Sequence, residues 1–265
     1  MAGVSIDRLP SIARAAWLEL RDELQALLRD DLVAIWAYGG TVSVDDPPRA
    51  GDLDTYVFLA RQPDDATTRA IEEAQDAIAR RHGVEWDAWH VLAEAARSAD
   101  PPRHAWRDER RDTSWAINRA HWLAGRYARL HGPEAAELVT APTWQELEHE
   151  LDRELEHIER HVLEGDSDPY EATYGILNGS RILHAVETRN VAISKRAAGT
   201  WALEHLPARW HAALHAAVRT YAGEAADGDI ELIAAEMARF VAFVRQRTPA
   251  TDDRPAVALP RWSGY

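Results

Sequence analysis

The sequence predicts an α+β protein in which a small mixed sheet with helices fills the first half and helices alone fill the second. Two observations support this division. Short apolar runs that end at glycine or polar residues, as buried strands do, occur before residue 93. From residue 144 onward, apolar residues recur every three or four positions, which is the helical period. We therefore expect two domains, 1–142 and 143–247, followed by a tail at 248–265.

Helix and strand patterns alternate in the first half. The clearest strand is Leu32–Tyr38, an apolar run closed by Gly39 and Gly40. The stretch 98–111 is rich in proline and charge and is expected to be a loop. The other elements expected before residue 132 are helices over 8–30, 65–81 and 112–131 and strands over 53–60 and 84–92.

The second half follows a helix stop signal, His131-Gly132-Pro133, and a connecting segment that ends at Pro142. All its patterns are helical, and a cleft between it and the first half would be the natural ligand site. The expected helices cover 144–164, 169–188, 193–206, 208–222 and 228–246.

Composition narrows the class of protein. The chain has 265 residues, no cysteine and a formal charge of −14, and 46% of its residues are hydrophobic. No apolar run reaches the roughly 18 residues of a membrane span, and no signal peptide is visible, so we expect a cytoplasmic protein without membrane contacts. The acidic charge argues against a nucleic-acid partner and suits a cationic ligand.

A pair of aspartates carries the chemistry. Asp52 and Asp54 are two residues apart in a predicted strand, so their carboxylates point to the same face, about 6 to 7 Å apart along the chain. Carboxylates so placed can converge on Mg²⁺, which bridges to phosphates, and two such ions can brace the attacking and leaving oxygens.

The turn before these aspartates suits the same task. Gly39 and Gly40 lack Cβ atoms, so their N–H groups can approach a triphosphate closely, and Thr41 can add a hydroxyl contact. A Gly-Gly turn after an apolar strand, followed by Asp-Leu-Asp at the start of the next strand, is far more specific than an Asp-x-Asp pair alone.

The third predicted strand offers a further carboxylate. Glu85 and Asp87 share one face of it, and either could take a proton from an acceptor hydroxyl. His90 points to the opposite face and is expected to be a packed histidine.

One cation also stands out. Lys195 is the only lysine among 30 basic residues, which suggests a position where the planar fork of arginine cannot replace a compact ammonium.

These motifs resemble a known family. Tyr38-Gly39-Gly40 with Gly51-Asp52-Leu53-Asp54 is similar to the DNA polymerase β-type nucleotidyltransferase superfamily. The rest of the chain resembles the streptomycin/spectinomycin 3″-adenylyltransferases, which carry a helical C-terminal domain. The resemblance implies a monomer that transfers AMP from ATP to a hydroxyl of a cationic antibiotic, with Mg²⁺ as cofactor.

The resemblance also assigns residues. Val84-Glu85 resembles the strand with the catalytic glutamate, which favours Glu85 over Asp87 as the base and makes Glu85 a third metal ligand. Ser180-Arg181-Ile182 resembles a helix whose arginine contacts ATP. The segments around Lys195 and Tyr221 resemble the phosphate-binding lysine and a nucleotide-contacting tyrosine.

The drug-binding side matches less closely. On the predicted helix 169–188, Glu171, Tyr174 and Asn178 form a polar stripe with Arg181, and this stripe could wall the cleft with Glu171 facing a cationic drug. Trp106 could stand in for a drug-contacting tryptophan. Gly40 and Gly51 replace family serines, and Glu164–Tyr170 contains no tryptophan.

Two alternatives stay open beside an antibiotic adenylyltransferase. The lost serines would suit a nucleotide-binding regulatory or antitoxin-like protein with a degenerate site, although the intact carboxylates argue against it. A nucleotidyltransferase that modifies a protein is the other.

Overall fold

The computed structural model describes residues 3–43, 52–164 and 169–248. Gly51 and the predicted tail beyond Thr248 lie outside the described residues. In the part that is described, no helix is both long and apolar enough to cross a membrane.

The first half is built on a four-stranded mixed sheet with the order β3-β2-β1-β6. β1 is antiparallel to β2 and to β6, whereas β2 and β3 are parallel. Parallel neighbours begin at the same edge, so the first residues of β2 and β3 lie side by side. The strands are β1 (Leu32–Tyr38), β2 (Asp52–Leu59), β3 (Glu85–Leu92), β4 (Arg103–His104), β5 (Arg107–Arg111) and β6 (Ala128–His131).

Helices cover both faces of this sheet, because alternate strand residues are apolar on each side. On one face, Ile35 and Val57 pack against α1 (Ser11–Leu28) and α2 (Asp65–His82). On the other, Trp36, Tyr56 and Phe58 pack against the tryptophans of α3 (Trp115–Leu123). Asp52 and Asp54 have the same parity as Tyr56, so they belong to the α3 face.

Two predictions for the first half were wrong. The expected helix 112–131 ends at Leu123, because Gly125 (φ 81°) turns the chain, and Ala128–His131 pair with β1 to form the strand β6 instead. The expected loop 98–111 contains the β4–β5 hairpin. The Ala105 N–H in this hairpin donates to the carbonyl of His90 at 2.7 Å.

The second half is helical, as predicted, and its helices share one apolar core centred on α6. The observed ends differ from the expected ones by up to three residues. A short helix, α4 (Ala135–Leu138), interrupts the connecting segment and carries a capping box between Glu134 and Glu137. The longer helices are α5 (Trp144–Glu164), α6 (Pro169–Thr188), α7 (Lys195–His205), α8 (His211–Ala222) and α9 (Asp229–Arg247).

The two halves meet where α5 packs on α3. The buried carboxylate of Glu150 accepts hydrogen bonds from the N–H groups of Ala116 and Ile117, at 2.8 and 2.9 Å, and so caps the start of α3. Arg119, which is 1% exposed, forms an ion pair with Glu146, one turn before Glu150 on α5. The domain boundary at residue 142 stays a prediction.

Candidate active site

A cavity of about 1110 Å³ lies between the α3 face of the sheet and the helices α5 to α8. Both halves of the chain contribute to its lining. It receives most of the residues that the sequence singled out, namely Gly39, Gly40, Thr41, Asp52, Asp54, Glu85, Asp87, Tyr174, Asn178, Arg181, Lys195 and Tyr221.

Four carboxylates form an array at one edge of the sheet. The parallel register pairs Asp52 with Glu85 and Asp54 with Asp87, and all four residues line the cavity. Asp52 and Glu85 are exposed at the first positions of their strands, whereas Asp54 and Asp87 are half-buried one step further in. The strands therefore bring together the acids that sequence alone could only place on two separate elements.

Gly39 gives the Asp54 carboxylate its place. Gly39 adopts φ 80°, in the left-handed region, and a Cβ built on it would lie 1.6 Å from Oδ2 of Asp54. A side chain at this position would therefore occupy the space of the carboxylate. The neighbouring Gly40 is less constrained, because its Cβ would lie 3.4 Å from the Tyr221 hydroxyl, an ordinary contact distance.

Ionisation of Asp52 and Asp54 is disfavoured within this array. Burial, followed by the charges of Asp52 and Asp87, raises the pKa of Asp54 to about 8. Burial and the charges of Asp87 and Glu85 also raise the pKa of Asp52. Lys195 opposes both pKa shifts, so its ammonium acts on these aspartates from across the cavity.

The donor set fits Mg²⁺ by its chemistry. Carboxylate oxygens are the ligands that this ion prefers, and a bound dication would relieve the repulsion that raises the pKa of Asp54. Among the described residues, no three His, Asp or Glu side chains already converge in a metal-holding geometry. Asp52, Asp54 and Glu85 therefore remain predicted ligands.

The opposite wall supplies cations. Lys195 is the first residue of α7, where the Ser194 hydroxyl caps the helix by accepting the Ala197 N–H at 3.1 Å. Its ammonium lies 4.6 Å from the ring centroid of Tyr174 and 5.8 Å from that of Tyr221. The two rings hold the ammonium by cation–π contact. A planar guanidinium would have to stack on these rings in a different position.

The polar stripe on α6 reaches the cavity in part. Nη1 of Arg181 donates to Oδ1 of Asn178 at 3.1 Å, and the Tyr174 hydroxyl donates to Glu154 of α5 at 2.7 Å. Glu171 is partly buried but is not among the residues found to line the cavity.

Two other predicted contacts take different positions. Trp106 lies on the opposite face of the sheet, where it packs on His90 and its indole N–H donates to Glu72 at 3.0 Å. The structure thus does not bring Trp106 to the cavity. The Thr41 hydroxyl donates to the backbone carbonyl of Asp52 at 2.9 Å, and so orients the start of β2. His90 is buried, as expected.

The structure adds cavity residues that the sequence analysis missed: Asp112, His121, Arg126 and Glu154. Asp112 is buried, accepts a hydrogen bond from Tyr56 and accepts the Ser114 N–H at 2.8 Å. Arg126 follows the unpredicted turn at Gly125 and donates to the Ser43 hydroxyl at 2.7 Å. Each lies on a segment whose structure was predicted wrongly or whose neighbours are distant in sequence, so no local pattern marked it.

Clustered carboxylates that face a lysine and an arginine across a cleft are the arrangement of a nucleotidyltransferase, an enzyme class that holds a nucleoside triphosphate between such groups. No curated protein sequence matches the chain. Residues 142–247, however, match the family described as aminoglycoside adenylyltransferase, C-terminal domain, so this part of the chain belongs to that family. The predicted family and enzyme class are thereby confirmed.

A solved structure agrees with the predicted fold class. The chain is similar to a crystal structure of the spectinomycin adenyltransferase AAD(9) from Enterococcus faecialis with ATP and spectinomycin. The TM-score is 0.68 at 16% sequence identity, and the match covers 88% of this chain and 98% of that one.

Proposed function

We propose that the protein transfers AMP from ATP to a hydroxyl of an aminoglycoside or aminocyclitol antibiotic of the spectinomycin or streptomycin type. Pyrophosphate is released, and the reaction depends on Mg²⁺. One observation carries the proposal: the in-register carboxylates of β2 and β3 face Lys195 and Arg181 across a single cavity.

The triphosphate would lie between these two walls. Lys195 and Arg181 would hold its oxygens, and the Gly39–Gly40 backbone would approach it from the sheet side. Asp52, Asp54 and Glu85 would hold Mg²⁺, two ions in our prediction, which supply charge neutralisation on the phosphates. The Tyr221 hydroxyl, close to Gly40, would complete the nucleotide site.

The chain's own groups account for the transfer. The acceptor oxygen attacks the α-phosphorus, the bond from that phosphorus to the bridging oxygen breaks, and pyrophosphate leaves. Glu85 takes the proton of the acceptor hydroxyl, and Asp87 is the alternative base one step along the same strand face. Positioning and charge stabilisation supply most of the rate in such in-line reactions.

An acidic cavity suits a cationic acceptor. Besides the four carboxylates of the sheet, Asp112 and Glu154 line the cavity, and they would attract the amines of an aminocyclitol. The volume of about 1110 Å³ exceeds the upper range of roughly 1,000 Å³ for single-ligand pockets, as a site for two substrates requires. That AAD(9) was crystallised with ATP and spectinomycin supports the choice of drug class.

Mass spectrometry tests the proposal directly. The protein is incubated with Mg-ATP and a panel that includes spectinomycin and streptomycin, and products are examined for the gain of one AMP. We expect at least one adenylylated drug, with Glu85→Gln losing far more activity than Asp87→Asn. ATP binding without transfer to any drug would contradict the proposal and favour a nucleotide-binding regulatory protein or a protein acceptor.

A further inference from the structure

His121 is a cavity residue that the reaction described above does not use. It lies in the last turn of α3, on the side of the cleft that the sheet forms. Its ring faces the helices of the second half. Nε2 of His121 lies 3.2 Å from Nη2 of Arg181 on α6. An arginine can only donate, so this imidazole nitrogen is the acceptor, and the ring is neutral in this contact.

The surroundings of His121 keep it neutral. Burial, followed by the charges of Arg181 and Arg126, lowers the pKa of His121 well below its usual range. The ring also forms a hydrogen bond with the backbone of Val191, in the loop between α6 and α7. This second contact fixes the tautomer, since an imidazole that accepts at Nε2 carries its proton on Nδ1.

One imidazole therefore contacts α6, which carries Arg181, and the loop that leads to Lys195. Arg181 lies on α6, and Val191 lies four residues before Lys195, which begins α7. Both terminal nitrogens of Arg181 donate hydrogen bonds: Nη1 to Oδ1 of Asn178 at 3.1 Å and Nη2 to Nε2 of His121 at 3.2 Å. Both of these partners are neutral, so they orient the guanidinium without cancelling its charge.

We infer that His121 is a positioning residue for the nucleotide, which aims Arg181 at the phosphates from the far side of the cleft. The inference rests on the proposed function, because it takes ATP as the ligand of Arg181. It assigns His121 no contact with substrate. Through this residue, α3 links the face that carries the carboxylates to the cation that faces them.

Two substitutions separate positioning from packing. His121→Phe keeps the ring volume and removes the acceptor, whereas His121→Gln can place an amide oxygen near the former position of Nε2. Without this hydrogen bond Arg181 is no longer held toward the phosphates, so we expect His121→Phe to weaken ATP binding about 10- to 100-fold. His121→Gln should recover most of that loss. Replacing the exposed His215 by Phe is the matched control and should change nothing.

A double-mutant cycle with Arg181→Ala decides the case, with ATP affinity measured by calorimetry in the absence of any acceptor. If His121 acts through Arg181, His121→Phe has little further effect once Arg181 is gone. An equal loss in both backgrounds, or no rescue by His121→Gln, overturns the inference. Failure of the wild-type chain to bind ATP overturns both this inference and the proposed function, whereas ATP binding without drug transfer overturns only the latter.

Discussion

Oδ2 of Asp54 occupies the place that a side chain at Gly39 would fill. A Cβ on Gly39 would lie 1.6 Å from this oxygen, and Gly39 has φ 80°. A side chain at position 39 would therefore displace the Asp54 carboxylate.

Gly39→Ala tests this relationship. The strained backbone alone should destabilise the fold by about 1–3 kcal/mol. Displacement of Asp54 should in addition reduce transfer by roughly 100-fold. Gly83→Ala is the matched control, because Gly83 also has positive φ (63°) but no atom lies within 4 Å of its Cβ position. Thermal unfolding and steady-state rates separate the two effects. Equal rates for the two variants would contradict the assignment.

Asp54→Asn removes a carboxylate oxygen that could bind metal and preserves the shape of the side chain. We expect it to leave the fold intact and to reduce transfer by about 1,000-fold, since metal ions supply several kcal/mol of charge stabilisation in such reactions. Circular dichroism and the rate of AMP transfer are the measurements. Normal turnover by this variant would contradict the assignment of Asp54 as a metal ligand.

Lys195 offers a test of the cation wall. Lys195→Met should raise the KM for ATP by about 10- to 100-fold, because a charge-assisted hydrogen bond to phosphate is lost. Lys195→Arg should recover only part of it, since the guanidinium fork does not match an ammonium seated between Tyr174 and Tyr221. Arg196→Met, at the exposed neighbouring position, is the control. Full activity of Lys195→Arg would show that any cation suffices there.

Glu150 predicts a pH dependence of stability. Burial raises its pKa to about 7, although the N–H groups of Ala116 and Ile117 act in the opposite direction. In the unfolded chain the pKa is near 4.5, so between these values the native state binds more protons, and the contribution of Glu150 falls as pH rises. Above pH 7 the loss is complete, at roughly 1–3 kcal/mol.

Urea unfolding at a series of pH values checks this prediction against Glu150→Gln. The free energy of unfolding of the wild type, relative to the variant, should decline between about pH 4.5 and 7 and then level off. A difference that stays constant or rises over this range would show that the native carboxyl is already ionised there.

Local patterns predicted much of the fold and one wall of the site. Asp52 and Asp54 could be placed on one face because strand residues alternate, and helices α5 to α9 follow from apolar spacing. The strand β6 escaped prediction because four residues are too few for a period, and only pairing with β1 defines it. Glu154 and His121 reach the cavity through packing between distant segments, which no spacing encodes.

The helix α3 has only nine residues, yet it supports both halves of the chain. Trp115 and Trp122 support the sheet beneath the carboxylates, while its first amides receive Glu150 from the helical half. A mutation that loosens α3 would damage the catalytic edge and the joint together. Adaptation to a new acceptor is thus more accessible through cavity residues outside α3 that do not hold the nucleotide, such as Glu154 of α5, while the frame that aligns the reactants stays as it is.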